Sequence, residues 1–165
     1  MKLHEYVQTY QVFEHNKKVG LRNIKTGKEV IPPENKSIHT ICPYYADQIV
    51  LLKVNNGKKY YLYNTDGLKL TEGMDYIGDY NYGIARFMKG KTWGFFDYEG
   101  KIFIPPKYDK AEKIDLGKYK VKLNGKCGVV DETGEIVKLE YDDIFFISGK
   151  LYGKNSNSTY IRLLV

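Results

Sequence analysis

Three groups of side chains in this sequence have types and spacings that chemistry uses. His39 and Cys42 stand three residues apart, a proximity that serves a thiol nucleophile or a metal only when a base or further ligands are held against it in space. Asp97 with Glu99, and Asp142 with Asp143, offer carboxylate pairs of the kind used in acid–base hydrolysis or in calcium loops. Lys118, Lys120 and Lys122 alternate with Tyr119, Val121 and Leu123, which in a strand places the cations on one face and the apolar residues on the other.

Neither the thiol nor the carboxylates extend to a catalytic constellation. His4, His15 and His39 show no metal-ligand spacing, and Cys42 and Cys127 form no Cys-x-x-Cys pair. The carboxylate pairs recur with turn signals, and a calcium loop needs more oxygen ligands in sequence than these provide. Glycines occur singly at turns, so no phosphate-cradling loop is present. The sequence therefore predicts a chain that is not an enzyme, with no catalytic residues, no metal site and no cofactor.

The remaining candidates are contact residues. Lys118, Lys120 and Lys122 form a stripe that serves as a solvated face guarding an edge, or as a basic surface for an acidic partner or a phosphate backbone. Tyr44 and Tyr45 fall in an apparent insertion over residues 35–45, and Tyr80 and Tyr82 flank Asn81. Tyrosine offers large contact area at low entropy cost and suits interfaces.

Composition limits the elements that hold these groups. The chain has 165 residues with 16 Tyr and 16 Gly, beside Ala only at positions 46, 85 and 111, a balance that favours strands and turns over helices. No apolar run approaches the roughly 18 residues of a membrane-spanning helix, and residues 1–10 lack the apolar stretch of a signal peptide. The expected location is the cytoplasm. The net charge of +6 is spread along the chain and comes mostly from Lys, which argues against guanine-edge reading, where Arg dominates.

Self-comparison supplies the organisation. Four segments, 19–33, 60–70, 93–109 and 127–142, align on Gly27, Gly67, Gly100 and Gly134, spaced 40, 33 and 34 residues apart. In each, a short apolar run ends in Asn23, Asn64, Asp97 or Asp131, and the glycine follows within a few residues. An Asx side chain accepting from the next amides and a glycine closing the loop make a hairpin turn. A second strand follows, and Pro32-Pro33 and Pro105-Pro106 are expected to end it in two copies. A further strand precedes each run across Asn16-Lys17, Asn55-Asn56-Gly57, Lys89-Gly90 or Asn124-Gly125.

These residues resemble a known family. Lys91-Thr92-Trp93-Gly94-Phe95-Phe96-Asp97, with Gly100-Lys101 and Ile104-Pro105-Pro106-Lys107-Tyr108-Asp109, is similar to the WG, or KWG, repeat of bacterial proteins. The fourth copy keeps Lys126, Gly128, Asp131, Gly134 and Tyr141-Asp142 but has Cys127 for the Trp; the first keeps Gly20, Gly27 and Ile31-Pro32-Pro33; the second has Tyr60-Tyr61 where Trp-Gly would stand. The resemblance spans residues 16–145 and implies strand-rich binding modules whose motif brings no catalytic residues.

The expected architecture is all-β: tandem three-stranded antiparallel units at 10–48, 49–83, 84–117 and 118–149 with a terminal hairpin at 150–165, in one domain over 1–165 whose array is open or closed into a ring. The expected function is a non-enzymatic protein-binding module of the cytoplasm, an adaptor or a small inhibitor of the toxin-neutralising or anti-defence type. The alternative is binding of single-stranded nucleic acid by a Lys/Tyr-rich sheet face, with no membrane partner in either case.

Overall fold

The computed structural model describes residues 7–41, 50–80, 84–97, 99–157 and 159–164, and within them the chain is all-β, with seventeen strands in five small antiparallel sheets. β1 (Tyr10–His15), β2 (Lys18–Asn23) and β3 (Glu29–Asn35) make the first sheet, and β4 (Ser37–Ile41), β5 (Leu51–Asn55) and β6 (Tyr60–Tyr63) the second. β7 (Tyr76–Ile77), β8 (Ile84–Lys89), β9 (Thr92–Asp97) and β10 (Ile102–Tyr108) follow in the order β10-β9-β8-β7. β11 (Lys110–Asp115), β12 (Lys118–Leu123), β13 (Lys126–Asp131) and β14 (Gly134–Tyr141) form the fourth sheet, and β15 (Asp143–Ile147), β16 (Lys150–Lys154) and β17 (Tyr160–Leu163) the fifth. The chain divides into two compact units, Met1–Gly90 with Phe95–Ile102, and Lys91–Gly94 with Phe103–Val165.

The turn chemistry forms as its residues dictate. Asn23 Oδ1 accepts from the amides of Lys25 at 2.9 Å and Thr26 at 3.1 Å, and Asp97 Oδ1 accepts from Glu99 and Lys101, both at 2.9 Å. Asn64 and Asp131 make the same contacts with Asp66 and Leu68, and with Thr133 and Gly134. Between β12 and β13, Asn124 and Gly125 take φ of 51° and 81°, the left-handed pair that a two-residue hairpin matching the strand twist requires.

The double prolines do not end their strands. β3 runs through Pro32-Pro33 and β10 through Pro105-Pro106, because both strands lie at sheet edges, where a missing N–H costs no ladder bond. The outer strand is bulged there: Val19 faces Asn35 while Leu21 faces Ile31, so four residues oppose two. β14 repeats the bulge without proline, with Cys127 opposite Tyr141 and Val129 opposite Val137. The bulge explains the glycine of the motif. A Cβ on Gly20 would meet Ile31 O at 2.7 Å, and one on Gly128 would meet Val137 O at 2.6 Å, so the folded-over backbone leaves no room for a side chain.

Four strands lie where the sequence places only connections. β4, β7, β11 and β15 each open a sheet, so the sheets divide the chain near Lys36, Asp109 and Asp142, away from the boundaries drawn from the repeat. The start of the 35–45 insertion is therefore strand β4 and not irregular loop. One backbone bond recurs at this step: the amides of Lys36, Asp75, Asp109 and Asp142 donate to the carbonyls of Asn55, Met88, Lys122 and Lys154 at 2.7–2.8 Å. These bonds fix which positions correspond from sheet to sheet.

The first unit buries two apolar clusters. Leu21 and Ile31 of the first sheet meet Ile38, Leu52 and Val54 of the second, and Ile41, Leu51 and Leu62 meet Ile77, Phe87 and Phe96. In the second unit, Cys127, Val129 and Val137 of the fourth sheet pack against Ile144 and Leu151 of the fifth. Alternation along β5 gives Leu52 and Val54 to the cluster with the first sheet and Leu51 to the cluster with Ile77, Phe87 and Phe96. Within each compact unit, small sheets thus share a core with a neighbour.

Candidate binding surface

In the second unit, β12 presents Lys118, Lys120 and Lys122 on one face, and the β11–β12 register sets Asp115, Glu112 and Lys110 opposite them. Across the other ladder, Lys120 faces Val129 and Lys122 faces Cys127, both of which are buried against the fifth sheet. The stripe is therefore only partly open. The Lys120 stem lies beside this core, its side chain 19% exposed, and its ammonium reaches Asp143 Oδ1 at 2.5 Å and Glu112 Oε1 at 3.4 Å. It also stands 5.8 Å from the centroid of the Phe145 ring. Lys118 pairs with Asp115 at 3.7 Å.

The electrostatics follow from this packing. Burial works to lower the pKa of Lys120, but the Asp143 bond and the charges of Asp143 and Glu112 outweigh it and hold the ammonium above its ordinary value. For Asp143, burial pushes upward, and the bonds from Lys120 and the Ile144 amide win, leaving the carboxyl below its ordinary value. The Cys127 thiol is raised by burial and bonds the Asp142 carbonyl at 3.6 Å. A thiol so placed is a poor nucleophile.

The tyrosines are distributed differently. Tyr80 gives its ring to the core, edge-on to Phe96 with centroids 5.7 Å apart, and its hydroxyl donates to the Asp97 carbonyl at 2.8 Å. Burial, then the Asp97 charge, pushes that hydroxyl well above the usual phenol range. Tyr44, Tyr45 and Tyr82, together with Cys42, lie outside the described residues. Among the described residues no group of three or more His, Cys, Asp or Glu side chains is placed to hold a metal, and no helix is long and apolar enough to cross a membrane.

A repeated cation went unread in the sequence. The recurring backbone bond puts Lys53, Arg86 and Lys120 at one position of three successive sheets. Lys53 reaches Asp79 Oδ1 at 3.3 Å and the Ile77 carbonyl at 3.4 Å, as Lys120 reaches Asp143. The signal was a basic residue four places before Gly57, Gly90 and Asn124 in turn.

The fifth sheet carries the most open apolar surface of the second unit. Ile147 is 57% exposed, Tyr160 60%, Ile161 41% and Leu164 87%. Tyr160 lies 5.9 Å from Phe145, centroid to centroid, with the Lys154 ammonium 5.9 Å from its own centroid. The sheet has one carboxylate, Asp143, already bonded to Lys120. No ion-pair partner meets Lys150, Lys154 or Arg162 among the described residues.

Comparison with known proteins agrees with the motif-level geometry: the WG-containing repeat family matches residues 75–93 and 93–127. Residues 75–127 carry WG repeats. Gly94 of the matched repeat follows Trp93 in the place that Gly20 and Gly128 hold in their own copies, where each lies beneath a bulge. No curated protein matches the sequence. Among solved structures, the chain is similar to a eukaryotic initiation factor, with a TM-score of 0.46 and 12% identity over 88% of this chain. It spans 45% of that protein's length. A protein of unknown function from Bacteroides caccae is similar at a TM-score of 0.26 and 14% identity, covering 94% of this chain and 72% of that one.

Proposed function

We propose that this chain is a non-enzymatic binding module that engages a protein partner by surface complementarity, as an adaptor or inhibitor in the cytoplasm. The observation that supports the reading best is the fifth sheet. Ile147, Tyr160 and Ile161 lie exposed there, with Leu164 just past β17, beside cations that meet no carboxylate among the described residues, a combination of apolar contact area and directional charge that protein interfaces use. The single-stranded nucleic-acid reading draws less support, because two of the three stripe lysines are ion-paired and the stem of Lys120 lies against the core.

The test is isolation of the tagged chain from its native cells at about physiological salt and again at several times that ionic strength, with the eluate resolved by mass and ultraviolet absorbance. The reading expects one protein at fixed stoichiometry that survives the higher salt. Nucleic acid shed by salt, or turnover traceable to a side chain of this chain, would refute it.

A further inference from the structure

We infer that the open edge of β17 is a strand-docking site whose occupant is an extended segment of a protein partner, with apolar residues alternating with carboxylates. This rests on the binding-module reading and names where the partner is held. The basis is a comparison of the chain with itself. β2, β9 and β13 each carry an outer strand, β3, β10 or β14, whereas β17 holds the same place in its sheet with no described strand beyond it.

Register identifies the open groups. Gly153 opposite Ile161 corresponds to Val121 opposite Gly128, so Tyr160 and Arg162 stand where Cys127 and Val129 stand in β13. Those two face outward to Tyr141 and Val137 of β14. By the alternation of an antiparallel ladder, the backbone N–H and C=O groups of Tyr160 and Arg162 point away from β16. Such an edge is a template for an incoming strand.

The edge also discriminates. Ile161 fills the position of Gly20 and Gly128, where a Cβ would collide with the bulged outer strand at 2.6–2.7 Å. A bulged strand of the β3 or β14 kind cannot seat over Ile161, and a regular extended strand can. On one face the newcomer meets Ile161 and Leu163. On the other it meets Tyr160 and Arg162, with Lys154 opposite Tyr160 on β16. Apolar residues complement the first face and carboxylates the second.

The probe is a capped synthetic hexapeptide alternating valine and glutamate, compared with one alternating valine and lysine, added to the full chain while amide hydrogen exchange is followed residue by residue. Slowed exchange at Tyr160 and Arg162 with the glutamate peptide is expected, with binding at least tenfold weaker for the lysine peptide. Arg162→Pro removes one outward N–H and leaves the inward bonds of Ile161 and Leu163; it should weaken the glutamate peptide at least tenfold with the thermal midpoint kept. Should Arg162→Pro fold poorly, Arg162→Glu keeps the edge and should reverse the preference between peptides. Equal binding of both peptides, protection confined to β1 or β15, or no protection at millimolar peptide would overturn the site. A cellular partner that binds the wild type and Arg162→Pro equally also overturns the site while leaving the binding-module reading standing, and absence of any stoichiometric protein partner fails that reading instead.

Discussion

Lys120 and Asp143 join two sheets: the ammonium on β12 lies 2.5 Å from the carboxylate on β15, at the edge of the shared core of Cys127, Val129, Ile144 and Leu151. Lys53 makes the matching reach to Asp79 in the first unit. Apolar area draws the sheets together without direction, and the charged bond adds a fixed point that sets how one sheet lies on the next.

Asp143→Asn should lower stability by about 1 kcal/mol, the value of a charged hydrogen bond discounted for its partial exposure. A double-mutant cycle with Lys120→Met, read by urea unfolding, should return a coupling of about 0.5–1 kcal/mol. A coupling near zero would reduce the pair to a solvent-screened contact.

The same pair sets a pH response. The Asp143 carboxyl lies below its ordinary 3.8 when folded, so its contribution is present above that value and is lost as pH falls through the folded pKa. Lys120 lies above its ordinary 10.5, so its contribution is present below that value and is lost as pH rises through the folded pKa. Asp131, held low by the Thr133 hydroxyl and amide, adds to the acid side. Stability should be flat through neutrality and fall below about pH 4. Asp143→Asn should flatten part of that acid limb in melts taken at stepped pH.

Gly128→Ala should cost about 1–3 kcal/mol through overpacking against backbone that cannot swing aside. The denaturant midpoint reads it, and Gly20→Ala should behave alike. A neutral Gly128→Ala would show that the bulge relaxes freely.

At the hairpin turn, Asp97→Ala strands the amides of Glu99 and Lys101 and should cost about 1 kcal/mol. Asp97→Asn should be close to neutral, since Asn23 and Asn64 hold the matching turns. Thermal midpoints of the two variants separate the cap from the charge.

Cys127, buried with a raised pKa, should react with a thiol reagent only as fast as its sheet opens. Labelling should accelerate with denaturant in step with unfolding. Rapid native labelling at Cys127 would contradict the packing of the fourth sheet on the fifth.

The turns were legible in the sequence because their signals are local: Asn23, Asn64, Asp97 and Asp131 bind amides only a few residues away. The prolines misled because proline ends a strand only where its N–H is needed, and whether Pro32 lies at an edge is a property of the sheet. β4, β7, β11 and β15 went unread for a related reason. They are short and carry mixed patterns, such as the Lys-Ala-Glu-Lys start of β11, and only pairing with the strand that follows defines them. Lys118, Lys120 and Lys122 share one face of β12, as their spacing implies, but that face covers part of a core, which spacing within a single strand cannot reveal. That no described strand lies beyond β17 is visible only when the sheets are compared with one another.

Docking of a protein on the fifth sheet, as proposed, is read by amide hydrogen exchange on the chain alone and with its co-purified partner. Such docking slows exchange at Tyr160 and Arg162, with little change along β1. Protection centred on another sheet, with β17 exchanging as in the free chain, would contradict it.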